Sequence, residues 1–87
     1  MHEPKIQSRV LQIVAGLARQ PKPQISNNTS ILIELDFDSL QLLELIEEVR
    51  TEYNIDLSKD PNLIQILETP RSLANAILQL KTQKSDG

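Results

Sequence analysis

The sequence predicts an all-α protein: a small four-helix bundle with a long loop between helices 1 and 2 and a short third helix. Two observations predict this class. Apolar residues recur at the helical i, i+3, i+4 spacing in three segments of the chain. Residues that start helices, an Asp or an Asp-Pro or Thr-Pro pair, precede the later segments. At 87 residues the chain is one domain, with an ordered core of about residues 4–81 and a polar tail, 82–87.

The first helix is predicted from Pro4 to Arg19. The segment "QPKPQ", residues 20–24, ends it because each Pro lacks an amide hydrogen and restricts the preceding residue. A long loop follows, and we expect its apolar side chains to pack it onto the core. The stretch "SILIEL", residues 30–35, could instead form a short strand. The loop's apolar cluster consists of Ile31, Leu32, Ile33 and Leu35.

The second helix is predicted to open at Asp38, a favoured N-cap residue that can form a capping box with Gln41. One stripe of this helix must face the core, and it contains Leu42, Leu45, Ile46, Val49 and Tyr53. The opposite face is acidic and also carries two leucines. The residues of this opposite face are Leu40, Leu43, Glu44, Glu47, Glu48 and Thr51.

The sequence predicts the starts of two further helices. Asp60-Pro61 is predicted to cap and open a short helical turn, and Thr69-Pro70 the last helix. Between the second helix and this turn, the alternating residues Ile55 and Leu57 are expected to point into the core. The last helix has Leu73, Ile77 and Leu80 on its apolar stripe. The predicted core comprises Ile6, Val10, Leu17, Leu42, Ile46, Val49, Tyr53, Leu73 and Ile77.

Composition excludes several classes of function. The chain has no Cys and a single His, His2, so it can build neither a thiol nucleophile nor a His-based triad or multi-His metal site. We therefore expect no catalytic residues and no metal site. A net charge of −3 disfavours nucleic acid as a partner. No apolar run is long enough to span a bilayer or to form a secretion signal, which predicts a cytoplasmic protein.

On the residues alone, Ser39 is either ordinary helix-start chemistry or a site of attachment. Asp38 already suffices as the cap, which leaves the Ser39 hydroxyl free at the first helical position, where an anion would be stabilised. From residue 25 to 57, "ISNNTSILIELDFDSLQLLELIEEVRTEYNIDL", the chain resembles the acyl carrier proteins, which have Asp-Ser-Leu after a long loop and before a helix bearing Glu-Leu. "ETPRSLANAILQL" resembles the last helix of that family.

The resemblance implies a carrier and not an enzyme. Ser39 would receive 4′-phosphopantetheine from coenzyme A through a Mg-dependent phosphopantetheinyl transferase, with Asp38 positioning the metal and coenzyme of that enzyme. The thiol of the arm would carry an acyl group as a thioester for the loading enzymes, synthases and transferases of fatty-acid, polyketide or related biosynthesis. These partners would contact Leu40, Leu43, Glu44, Glu47 and Glu48. We expect a monomer.

The sequence departs from the family at three positions. Asp36 stands where the family usually has Gly, and Asp tolerates left-handed backbone geometry better than most residues. Arg50 and Thr51 interrupt a helix that is more continuously acidic in fatty-acid carriers. These departures favour a specialised carrier over the housekeeping one. A peptidyl or aryl carrier, or a helical interaction module without an arm, are the alternatives.

Overall fold

The computed structural model describes residues 3–18 and 25–86. In these residues the chain forms α1 (Glu3–Leu17), α2 (Ser39–Tyr53), a 3₁₀ turn (Leu57–Lys59), α3 (Leu63–Ile66) and α4 (Pro70–Asp86). No strand occurs in this part of the chain, and residues 31–34 form turns, so the strand alternative for "SILIEL" is wrong. The predicted all-α class, with its long loop and short third helix, is confirmed.

One hydrophobic core joins all of these elements. α1 packs mainly against α4 and to a smaller extent against α2. Of the predicted core residues, Val10, Ile46, Val49, Leu73 and Ile77 are buried. The remaining four, Ile6, Leu17, Leu42 and Tyr53, are partly buried and pack against the cluster.

The loop before α2 is held down at the start of α4. The Ile31 N–H donates to the Glu68 carbonyl (2.9 Å), and the Arg71 N–H donates to the Asn27 carbonyl (2.9 Å). The Arg71 side chain adds a bond from Nε to Asn28 Oδ1 (3.0 Å). The loop is therefore a fixed part of the fold that leads directly into α2.

The prediction that Ile33 packs inward with its neighbours is wrong. Ile31 and Leu35 are buried, whereas Ile33 is 82% exposed. Residues 30–34 form a single turn with a helix-like bond, in which the Glu34 N–H donates to the Ser30 carbonyl (3.0 Å). The Ile33 N–H also donates to Ser30 Oγ (3.1 Å). Residues four apart share one side of such a turn, so 31 and 35 face the core together and 33 faces away.

The region between α2 and α4 confirms one prediction and corrects another. Ile55 and Leu57 are buried as predicted. The short helix, however, begins at Leu63 and not at Pro61. Asp60 Oδ1 accepts from the Asn62 N–H (2.8 Å), so this carboxylate closes a turn around Pro61 before α3 starts. The 3₁₀ turn, which was not predicted, is capped by Asp56.

The two outer helices differ from prediction at their ends. α1 ends at Leu17 and Ala18 is not helical, while Arg19 and residues 20–24 lie outside the described residues. α4 opens at Pro70 as predicted, and it continues to Asp86, beyond residue 81 where the predicted ordered core ends. No Gly or Pro interrupts this segment, and Lys81 Nζ lies 5.8 Å from the Tyr53 ring centroid, which ties α4 to α2.

Candidate functional site

The N-terminus of α2 has the capping box that the sequence predicts. Asp38 has an extended backbone (φ −91°, ψ −178°), and its Oδ1 accepts from the Gln41 N–H (2.9 Å). In return, Gln41 Oε1 accepts from the Asp38 N–H (3.0 Å). The start of α2 is therefore fixed by reciprocal side-chain bonds on either side of Ser39.

Ser39 is the first residue of α2, and its side chain is exposed. Among the described residues none forms a hydrogen bond with its hydroxyl. Because Asp38 caps the helix, the fold does not need the Ser39 Oγ. In the described part of the chain no carbonyl accepts from the N–H of Ser39 or Leu40 either, as is usual at the start of a helix. Ser39 thus presents a hydroxyl beside two amide donors and the positive end of the α2 dipole.

The chain enters this site through a left-handed residue. Asp36 has φ 54° and is exposed, which agrees with the prediction that Asp tolerates this geometry in place of Gly. Phe37 follows it and is buried, and its N–H donates to the Ile31 carbonyl (3.2 Å). The reversal at Asp36 therefore lets Phe37 reach the core while Asp38 and Ser39 stay at the surface.

The sequence predicted Gln41 as a partner in the capping box but did not indicate its burial or its bond to α1. Gln41 is only 2% exposed, and its Nε2 donates to the Leu17 carbonyl at the end of α1 (3.0 Å). Its place four residues before Leu45 puts Gln41 at the edge of the apolar stripe, which is the one sequence signal that could have indicated burial. The partner carbonyl could not be identified from the sequence, because it belongs to another helix.

The face of α2 that was predicted to meet partners is exposed. Leu40 is 56% and Leu43 61% exposed, and Glu44, Glu47 and Glu48 are exposed too. The carboxylates differ in their surroundings, however. Glu47 forms an ion pair with Arg50, and the hydrogen bond from that guanidinium, followed by its charge, lowers the pKa of the Glu47 carboxyl. Arg50 therefore offsets the charge of Glu47 within the molecule.

Glu48 lies on the side of α2 that faces α1. It lines a shallow depression together with Arg9, whose Nη2 is 3.2 Å from Glu52 Oε1. The hydrogen bond to Glu52 and the charge of Glu52 raise the pKa of Arg9, with a smaller contribution from Glu48. Glu44 and Glu48 form no ion pair or hydrogen bond with the described residues, and Glu44 is the nearer of the two to Ser39 along α2.

The described residues contain no group of three or more His, Cys, Asp or Glu side chains that could hold a metal ion. Within the same residues, no helix has the length and apolar character that crossing a bilayer demands.

Comparison with known proteins identifies the family. Residues 8–77 match the family model described as "Phosphopantetheine attachment site". The chain belongs to the phosphopantetheine-binding carrier family. Proteins named "Acyl carrier protein" from Rickettsia canadensis, Rickettsia typhi and Rickettsia prowazekii are each 32% identical over 56 residues. This alignment covers 64% of the chain and spans 65% of the length of each relative. No solved structure matches significantly.

Membership of this carrier family agrees with the composition. Phosphopantetheine carriers bring their reactive sulfur with the prosthetic group, so a carrier needs no thiol of its own, and this chain has no Cys. The match from residue 8 to residue 77 includes the loop, all of α2 and the first half of α4. Every residue of the site described above lies inside it.

Proposed function

We propose that the protein is an acyl carrier protein whose 4′-phosphopantetheine arm is attached to Ser39. The observation that carries this proposal is the Ser39 side chain: it is exposed, free of hydrogen bonds to described residues, and first in a helix that another residue caps. An acyl cargo is favoured over an aminoacyl one because the curated relatives are named acyl carrier proteins. The cargo would serve fatty-acid, polyketide or related biosynthesis.

The residues present fit the attached group. Attachment forms a bond between Ser39 Oγ and the phosphorus next to the pantetheine of coenzyme A, while the phosphoanhydride bond breaks and 3′,5′-ADP leaves. The hydroxyl proton passes to the transferase. The N–H groups of Ser39 and Leu40 and the dipole of α2 would stabilise the negative charge of a phosphodiester attached to Ser39. Asp38 holds this turn in place and is proposed to help position the metal and coenzyme of the transferase.

The bound arm supplies a thiol that holds the acyl group as a thioester. The chain's own part in the chemistry is presentation. α2 fixes the attachment point at its exposed first turn, and partner enzymes reach that point along the exposed face of the same helix.

The proposed partner surface is centred on Leu40, Leu43 and Glu44. These two leucines are large exposed apolar side chains close to Ser39, and Glu44 follows them with no internal ion pair in the described residues. Glu47 and Glu48 belong to the same surface, but Arg50 offsets the charge of Glu47, and Glu48 lies farther along α2 beside Arg9, which is paired with Glu52. We expect apolar contact near Ser39 and attraction of basic groups at Glu44, where charge sets mainly association rate and specificity.

Intact-mass measurement tests this function. Incubation of the purified apo protein with coenzyme A, Mg²⁺ and a broad-specificity phosphopantetheinyl transferase should add the mass of one arm. Ser39→Ala should abolish the gain because it removes Oγ, the atom to which the arm is proposed to be attached. Ser8→Ala is the matched control, since Ser8 is an exposed helical serine on α1, and it should keep the gain.

An unmodified wild-type protein, with an established carrier modified in the same reaction, would refute the proposal. A gain that survives in Ser39→Ala would place the arm on another residue.

A further inference from the structure

We propose that Gln41 is a positioning residue for the modification of Ser39, because its side-chain amide fastens the first turn of α2 to the end of α1. The inference rests on the proposed attachment at Ser39. Gln41 uses both ends of its amide: Oε1 accepts from the Asp38 N–H, and Nε2 donates to the Leu17 carbonyl, each at 3.0 Å. The side chain is 98% buried, so water replaces neither bond easily.

The Ser39 hydroxyl forms no hydrogen bond with the described residues that would hold it. Its position depends on the backbone of the turn, and the terminal turns of helices fray. On the N-terminal side the chain passes through the left-handed Asp36, a conformation that costs free energy in a residue other than Gly. The bond from the Asp38 N–H to Gln41 closes the turn directly around Ser39. Gln41 is therefore the link between the attachment point and the rigid body of the bundle.

The bond from Gln41 to the Leu17 carbonyl connects the first turn of α2 to α1. The Leu17 carbonyl lies at the end of α1, where the last carbonyls have no partner within the helix. A single side chain thus satisfies a donor at the start of α2 and an acceptor at the end of α1. Without it, both backbone groups lose this bond, while the bond from the Gln41 N–H to Asp38 Oδ1 involves only backbone on the Gln41 side and remains possible.

Of the three residues at the centre of the proposed partner surface, only Leu40 lies in the first turn of α2, so most of this surface does not depend on the link. Leu43 and Glu44 lie in the second turn of α2, and the helix is anchored below them by the buried Leu45 and Val49. A transferase would therefore still bind a protein whose first turn is loosened, but Ser39 would be correctly placed in a smaller fraction of the complexes. The expected signature is a lower kcat with little change in KM.

The test compares Gln41→Met with Ser72→Ala in steady-state modification by coenzyme A and the transferase. Met conserves length and volume but removes both bonds. Ser72 is the matched control because its Oγ accepts from the Thr69 N–H (3.0 Å) at the start of α4, away from Ser39. We expect kcat to fall about tenfold in Gln41→Met with KM within about twofold, and both constants to stay within about twofold of wild type in Ser72→Ala.

Circular dichroism at the assay temperature shows whether each variant is folded. If Gln41→Met does not fold, Gln41→Asn keeps an uncharged amide that is one methylene too short to reach both Asp38 and Leu17, and the same split is expected with a smaller loss. Two results would overturn the inference and leave the proposed function intact. One is a kcat of Gln41→Met equal to that of Ser72→Ala, and the other is a loss of kcat/KM that comes from a higher KM. An unmodified wild-type protein would overturn both.

Discussion

At the scale of single residues, the site combines positions that local sequence explains with one that it does not. Asp38 and its capping box with Gln41 were predicted because both partners lie within one turn of chain. The left-handed Asp36 follows from a known tolerance of Asp. The burial of Gln41 was not predicted, because a glutamine becomes a core residue only when another element supplies a carbonyl, here that of Leu17.

Asp36 gives a prediction at this scale. Asp36→Ala should lower the free energy of unfolding by about 1 kcal/mol, because Ala lacks the local hydrogen bonding that helps Asp adopt a positive φ. Asp36→Gly should change it by less than about 0.5 kcal/mol, since Gly relieves the strain and loses more entropy on folding. Urea unfolding of both variants measures the difference. Because Asp36 is exposed, equal stabilities of the two variants would show that φ at this position carries no strain.

At the scale of elements, α2 does two jobs on two faces. Its buried face contributes Leu45, Ile46 and Val49 to the core, and its exposed face carries the leucines and carboxylates near Ser39. The 3.6-residue period predicted this division well. The period could not show how the charges are paired, because the ion pairs of Arg50 with Glu47 and of Arg9 with Glu52 depend on side-chain placement and on the packing of α1.

The exposed face gives a prediction of its own. Glu44→Lys should slow modification of the protein by roughly three- to tenfold at low salt, because it reverses an exposed charge in the second turn of α2, close to Ser39. Glu68→Lys, which changes the net charge equally at an exposed position outside α2, should have a much smaller effect. Transfer rates at two salt concentrations measure both. Comparison of the two variants also distinguishes a local contact at Glu44 from long-range attraction by the net charge of the protein.

Equal slowing in the two variants would remove Glu44 from the partner surface. Extending the change to Glu44→Lys with Glu47→Lys should deepen the loss without unfolding the domain, since both residues are exposed.

At the scale of the whole molecule, the loop before α2 belongs to the core as fully as the helices do. Ile31, Leu35 and Phe37 are buried, and the loop is bonded to the start of α4. The sequence predicted that apolar residues pack this loop down but misjudged Ile33. The four apolar side chains are close together in the chain, and only the turn around Ser30 decides which of them face inward.

The contrast between two isoleucines tests this description. Ile31→Ala should lower the free energy of unfolding by about 2–5 kcal/mol, because Ile31 is fully buried and its removal leaves a cavity. Ile33→Ala removes the same atoms from a side chain that is 82% exposed and should change stability by less than about 0.5 kcal/mol. Thermal or urea unfolding measures both. Similar losses in the two variants would contradict the loop packing described here.

Attachment of the arm to Ser39, and to no other hydroxyl, is what the proposed function requires of this protein. Tandem mass spectrometry of the protein modified with coenzyme A tests it most directly. Trypsin should release residues 20–50 as one peptide, because Lys22 precedes Pro, and this peptide also contains Ser26, Thr29 and Ser30. We expect a phosphopantetheine phosphodiester on Ser39 alone. An arm on any of the other three hydroxyls, or a peptide without an arm from a fully active reaction, would contradict it.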